Sequence, residues 1–288
     1  MVNTFRIKDF IMIEVLDPGY YITIQDRGRF GYSNYGVPQS GCMDMFSAKN
    51  ANLILSNSIS EPLFEICMMG GKFLFKKETK ISLSGALFEV VLNDQKVYND
   101  LSIEVKKGDV LTFGRAKKGN RIYLAVKGGI DYKSVMGSSS MYKGISEDFI
   151  VRKKDIFKFS QNPSNNLSYE MVDLNIFDEI LNVYKGPEFG LLTSDDKNLL
   201  FNKNFSITSN NRMGYFLKEK LNSNANSIIS SPTIPGIIQL TPAGDLIILM
   251  KDGQVTGGYP RILQLDEKSI SCLSQKNTGN KFTFKLIP

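Results

Sequence analysis

Three stretches of this chain concentrate side chains that can hold an anion, move a proton or polarise a carbonyl. The first runs Gln25-Asp26-Arg27-Gly28-Arg29-Phe30-Gly31-Tyr32 and continues through Gly36-Val37-Pro38 to Ser40-Gly41-Cys42-Met43-Asp44. Its glycines permit positive φ and close backbone approach. A helix is expected to begin near Asp44, and the free amides of such a start favour a negative group. The same residues also suit a structural loop packed by Phe30, Tyr32 and Tyr35, with Asp26 paired to an arginine.

The second stretch is Asn211-Arg212-Met213-Gly214-Tyr215. A lone guanidinium there could grip a carboxylate or phosphate with two parallel hydrogen bonds, or could be a surface Arg ahead of a glycine turn. The third is Lys251-Asp252-Gly253-Gln254-Val255-Thr256-Gly257-Gly258-Tyr259-Pro260-Arg261. It places ammonium, carboxylate, amide, hydroxyl, phenol and guanidinium groups in one loop beyond an apolar strand, where rigid scaffolds often carry ligands. A polar hairpin connection is the plainer reading. No Walker A or G-x-G-x-x-G pattern is present, so no motif shows phosphate binding. Met250-Lys251 lacks the Met-Lys-Met core of a biotin-acceptor lysine. Cys42 has no histidine to activate it and suits a small packing role.

What is missing narrows the chemistry further. Among 288 residues there is no histidine. That removes Ser-His-Asp and Cys-His catalysis, His-ligated metals and an imidazole proton shuttle within this chain. Three separated cysteines, Cys42, Cys67 and Cys272, form neither a C-x-x-C pair nor an even framework, so reduced thiols in the cytoplasm are expected. No apolar run approaches the roughly 20 residues that span a bilayer, and no secretory leader is expected. The net charge is +6, but only 8 of the 35 basic residues are Arg, and the lysines are scattered. A solvated Lys-rich surface is expected rather than a nucleic-acid face.

Short strands must position these loops. Leu101, Ile103 and Val105 alternate with polar neighbours, as do Phe282, Phe284 and Leu286. The segments 81–84, 87–92, 110–113, 122–126, 237–240 and 246–250 are β-branched or aliphatic and bounded by turn residues. Three short helices are predicted: Asp44–Leu55, one behind Thr193 or Ser194 and ending near Phe201, and one begun by Asp266 with Ile270 and Leu273 inward. The pattern predicts a mainly β protein of barrels or sandwiches. The polar run SQNPSNNLS reads as a linker at 161–170, between an N-terminal β lobe over 13–160 and a C-terminal lobe over 171–288. Residues 1–12 read as an extension.

Taken together, the motifs resemble the biotin-dependent carboxyltransferase-like family, which includes the C subunit of 5-oxoprolinase, allophanate hydrolase subunit 2 and the Kip antagonist protein. The matching pieces are Val15-Leu16-Asp17-Pro18-Gly19, QDRGRFGY, GVPQSGCMD, Ala51-Asn52, Phe64-Glu65, Ser84-Gly85-Ala86, YLAVKGGID, Gly186-Pro187, NRMGY, Ile234-Pro235-Gly236 with Gln239, Pro242-x-Gly244 and VTGGYPR. The resemblance departs at Cys42, at Ser139 where the family usually carries Arg, at Glu147-Asp148 in place of a Gly-rich segment, and at Glu188 in place of Gln.

The resemblance implies a cyclophilin-like β-barrel architecture in two lobes. It implies an ATP-dependent 5-oxoprolinase-type complex that opens 5-oxoproline to L-glutamate. The implied partners are a Kip-inhibitor-like protein (the B subunit of 5-oxoprolinase) and a third chain (its A subunit), with ATP at the level of the complex. A carboxyltransferase half-domain served by biotin on a separate carrier, and a non-catalytic antagonist of the Kip-inhibitor-like partner, are the alternatives. On this reading Arg212 or Arg261 binds the substrate anion, with Arg27, Ser40 and Tyr259 in the same binding set. Gln254, Thr256, Gly257 and Gly258 orient the lactam or a phosphorylated intermediate. Asp26, Asp44 or Asp252 handles protons.

Overall fold

The computed structural model describes residues 11–159, 175–222 and 226–288. Strands dominate, and the described helices are three α-helices and two single turns of 3-10 helix. The mainly β, barrel-containing architecture expected from the sequence is what forms. The expected linker at 161–170 and most of the expected N-terminal extension lie outside the described residues. The first strand already begins at Ile11, pairing Met12 with Lys158.

Contacts divide the described chain into two units. One holds the described parts of Met1–Arg27, Ser47–Val135 and Ser139–Val172; the other holds Gly28–Phe46, Met136–Ser138 and the described parts of Asp173–Pro288. The loop 28–46 therefore belongs with the C-terminal strands, although it is written into the N-terminal half of the sequence.

The first unit is built on a ten-stranded sheet. Its central path joins Tyr21–Gln25, Leu63–Cys67, Val110–Val126, Lys72–Phe75, Ile11–Asp17, Ile156–Phe159 and Ile130–Asp131. Two pairs of segments that look separate in the sequence are continuous strands here. Residues 81–84 and 87–92 both fall in Thr79–Leu92, and 110–113 and 122–126 both fall in Val110–Val126. Gly85 explains the first fusion. Its φ is +107°, and a Cβ there would lie 2.6 Å from the Arg121 carbonyl oxygen, so the strand bends without breaking. Register shifts cluster between Gly85 and Val90. One alternation reads differently in the fold: Leu101 is 56% exposed, because its strand begins only at Ser102, and Val105 carries the burial. Phe64, Phe73, Phe113 and Phe157 meet in the core at centroid separations of 5.1–5.9 Å.

The second unit is a closed seven-stranded barrel. The order is Ile180–Lys185, Arg261–Leu265, Ile237–Leu240, Leu246–Leu249, Gly214–Leu217, Phe205–Asn210 and Lys281–Leu286, which closes in parallel on Ile180–Lys185. Closure removes both sheet edges. Inward residues such as Ile238, Ile248, Tyr215, Phe205 and Phe282 fill the interior. The helices form where their caps predict. α1 spans Met45–Ile54, directly after Asp44. α2 spans Ser194–Asn202, and the amide of Asp196 donates to the Thr193 hydroxyl. α3 spans Glu267–Ser274, and the amide of Ser269 donates to Asp266 at 2.7 Å. Ile270 and Leu273 point inward as expected.

Candidate active site

The second unit brings the three motif-rich stretches together. The Ser40 amide donates to the Lys251 carbonyl at 2.8 Å, and the Asp252 amide donates to the Arg212 carbonyl at 2.9 Å. Arg212 completes the junction. Its Nε donates to Asp252 Oδ2 at 2.7 Å, while Nη2 donates to Asp252 Oδ1 at 3.1 Å and to the Gly41 carbonyl at 2.7 Å. Both side chains of this ion pair are 8% exposed. One guanidinium thus ties the loop 28–46 to the turn after Leu246–Leu249 by charge-assisted bonds.

This geometry bears directly on the expected roles of Arg212 and Asp252. A substrate anion at Arg212 would have to compete with a carboxylate already engaging the guanidinium fork. Both Asp252 oxygens accept from that fork, so this carboxylate is engaged in the ion pair. Arg261 is similarly engaged: it donates from its backbone amide, Nε and Nη2 to Glu188 at 2.8–3.0 Å, and from Nη1 to the Pro232 carbonyl at 2.8 Å. This pair lowers the Glu188 pKa through the Arg261 hydrogen bond and raises that of Arg261 in turn. Glu188 is one of the departures from the family pattern, and the acidic residue neutralises the arginine where Gln would leave its charge intact.

The carboxylates are not gathered at one point. Asp44 is fully buried and accepts from Gln275 Nε2 at 2.7 Å. Asp26 belongs to the first unit, where it accepts from the Ser139 amide and the Ser140 hydroxyl, each at 2.6 Å. Ser139 is the position where an Arg was expected, and its hydroxyl donates instead to the Tyr132 carbonyl at 3.1 Å. Arg27 also falls in the first unit and is exposed. In the loop itself, Phe30 and Tyr35 are 58% and 74% exposed, while Val37, Pro38 and residues 40–44 are buried. Cys42 is 1% exposed. Cys272 is equally buried, and burial with the charge of Asp44 pushes its thiol up to about 11.

A cavity of about 170 Å³ opens in the second unit, between the loop 28–46 and the 249–255 segment. Two buried cationic side chains, Arg29 and Lys251, line it with Phe30, Gln39, Thr233 and Gln254. The Thr233 hydroxyl donates to the Gln254 carbonyl, and its amide donates to the Val255 carbonyl at 2.9 Å, which fixes this wall. Thr256 and Gly257 pair with Pro232 and Ser231 in a two-stranded ribbon. Tyr259 is 36% exposed. Ser40 is held at φ +54°, unusual for a non-glycine residue, and its fully buried hydroxyl has no hydrogen-bond partner among the described residues. Among the described residues no cluster of His, Cys, Asp and Glu could hold a metal ion.

Residues 35–286 match the family described as carboxyltransferase domain, subdomain A and B. The chain belongs to this family. Over 280 residues it is 30% identical to the 5-oxoprolinase C subunit of Escherichia coli, covering 95% of this chain and 90% of that protein. The protein of the same name from Haemophilus influenzae is 28% identical over 283 residues, with 96% and 91% coverage. Urea amidolyase of Lachancea kluyveri is 43% identical over 130 residues, which are 45% of this chain and 7% of that protein. The crystal structure of the K. lactis urea amidolyase superposes with a TM-score of 0.85 at 27% identity, covering 96% of this chain and 19% of that one. Another solved chain, at 23% identity and a TM-score of 0.85, shares the fold and is matched over 56% of its own length. The chain thus spans little more than half, or less, of these solved structures, and nearly all of the two 5-oxoprolinase subunits.

Two buried polar residues of this unit have a placement that sequence reasoning misses. In the sequence Lys251 reads only as part of a polar loop, yet it is 5% exposed and lines the cavity. Gln239 reads only as a motif letter. A glutamine inside the otherwise aliphatic strand Ile237–Leu240 is the available signal, because a polar side chain buried there must be satisfied by something.

Proposed function

We propose that this chain is a subunit of an ATP-dependent 5-oxoprolinase-type complex, which opens the lactam of 5-oxoproline to L-glutamate together with a Kip-inhibitor-like partner and a third chain. The observation that carries the reading is the nearly end-to-end match to the C subunit of 5-oxoprolinase, at 95% of this chain and 90% of the relative. The cavity is consistent with it. A space of about 170 Å³ suits a small cyclic acid. In this reading ATP acts at the level of the complex, and no step at this cavity runs through it.

In this reading Arg29 and Lys251 attract the substrate carboxylate, while Gln254 and Thr233 offer polar atoms to the ring amide. Arg212 and Asp252 hold the loop that forms one wall. The chain contains no histidine, so an imidazole base, where the reaction uses one, comes from a partner chain.

Co-expression with the two partners, followed by measurement of 5-oxoproline-dependent ADP release, tests the proposal. Turnover by the complete complex, lost when this chain is omitted, is the expected result. An intact, folded complex without turnover refutes it. A second reading, a carboxyltransferase half-domain working with biotin on a separate carrier, rests on the 43% identity to a segment of urea amidolyase. Carboxyl transfer from carboxybiotin in place of ADP release would select it.

A further inference from the structure

Gln239 is 1% exposed, and among the described residues neither Oε1 nor Nε2 of its side-chain amide has a hydrogen-bond partner. A buried amide with both its donor and its acceptor unmet bears the desolvation cost of each group without compensation. Native interiors rarely keep such a group without a use for it.

Two features of the fold serve this amide. The pairing of Ile237–Leu240 with Arg261–Leu265 slips at Gln239: Ile238 faces Leu263, but Gln239 faces Arg261, leaving Ile262 as the extra residue. Such bulges re-aim a side chain beside ligand sites. The second feature is Gly257. A Cβ at that position would stand 2.6 Å from Gln239 Nε2, 3.4 Å from Gln254 Nε2 and 3.5 Å from Thr233 Cγ2. A side chain at this position would push the Gln239 amide out of its place. The same glycine brings it next to Gln254 and Thr233, both of which line the cavity.

We infer that Gln239, which stands beside the lining residues Gln254 and Thr233 without itself reaching the cavity wall, is a specificity residue of this site, and that it reads a ring amide held in the cis form by pairing Oε1 with the ligand N–H and Nε2 with the ligand C=O once those side chains give way. A primary amide presents one donor and one acceptor side by side. A cis amide presents the complementary pair at the same spacing, and a trans peptide cannot. Lactams and cyclic ureas are two ring classes that carry this edge. An ester ring or an N-alkylated lactam lacks the N–H and leaves Oε1 unmet, which is the kind of mismatch that polar sites discriminate strongly against. The inference deepens the proposed function, and rests on it for choosing 5-oxoproline among the lactams.

Direct binding to the purified chain tests this independently of turnover. The probes are 2-pyrrolidinone and L-5-oxoproline for the lactam edge and 2-imidazolidinone for the cyclic urea, with N-methyl-2-pyrrolidinone and γ-butyrolactone as the rings without N–H. Saturation-transfer NMR titrations should show dissociation constants of the order of 1 mM for the smallest ring. The two blocked rings should bind at least tenfold more weakly. Gln239→Met should remove the preference for the N–H ring. Gly257→Ala, placed on the ribbon rather than in the barrel core, should do the same by crowding Nε2, and covers the case in which Gln239→Met fails to fold.

Equal binding of blocked and unblocked rings overturns the inference. So does an unchanged preference in both variants, or no ring binding at all. Lactam binding without cyclic-urea binding assigns the edge to a 5-oxoproline-like ligand, and the reverse assigns it to a biotin-like one. A complex that turns over 5-oxoproline with Gln239→Met at wild-type KM would sink this inference and leave the proposed function standing. Gln239-dependent ring binding by a chain whose complex releases no ADP would do the opposite.

Discussion

Replacing Asp252 with alanine isolates the Arg212 junction. Both partners are 8% exposed, and the guanidinium meets the carboxylate at 2.7 and 3.1 Å. Removing the carboxylate strands a buried positive charge that retains the Gly41 carbonyl among its acceptors. Breaking a buried pair from one side costs about 3–5 kcal/mol. At about 2–4 °C per kcal/mol for a chain of this size class, Asp252→Ala should lower Tm by roughly 6–20 °C. The double variant Arg212→Met/Asp252→Leu removes both charges together, and its loss should be within about 1–2 kcal/mol of wild type. The chain has 12 tyrosines and no tryptophan, so urea unfolding is best followed by tyrosine fluorescence and circular dichroism. In the reconstituted complex, Arg212→Ala should also reduce turnover, since it releases the loop bearing Arg29 and Gln39 from its anchor. A loss below about 1 kcal/mol for Asp252→Ala, or a double variant as unstable as the single one, would refute the buried-pair reasoning.

Two further outcomes follow from the electrostatics. Glu188 has its pKa lowered from 4.5 by Arg261, so its contribution is fully present above that value and is lost as pH falls through the lower folded-state value. Glu188→Gln should therefore lose stability at pH 7, and its deficit relative to wild type should shrink below about pH 4. A deficit that grows on acidification, in urea midpoints measured across that range, contradicts the assignment. The Cys272 thiol, pushed up to about 11 and 1% exposed, should resist iodoacetamide at about pH 8 until the protein unfolds. Rapid alkylation of native protein at Cys272, mapped by mass spectrometry, would rule that out.

The local parts of this structure were legible because their causes are local. Thr193 and Asp266 cap helices three residues away, and 237–240 and 281–286 form strands where side-chain periodicity places them. Order and spacing of short motifs also sufficed for the family. The bend at Gly85 was harder to see, because a glycine between two apolar runs usually signals a turn and here only curves one strand.

The amino-acid sequence by itself determined a mainly β chain without imidazole chemistry, three short capped helices and the family's motif set. Only the tertiary structure decided what the polar groups do. Arg212 finds Asp252 40 residues ahead of it and Gly41 171 residues behind it, and these two contacts anchor the loop. Gln239 gains its character the same way, from a bulge, a glycine on another strand and the lack of a partner among the described residues of the barrel. A residue's propensity acts over a few neighbours and can be read along the chain. Whether a buried donor is satisfied depends on which distant acceptors the closed barrel brings to it.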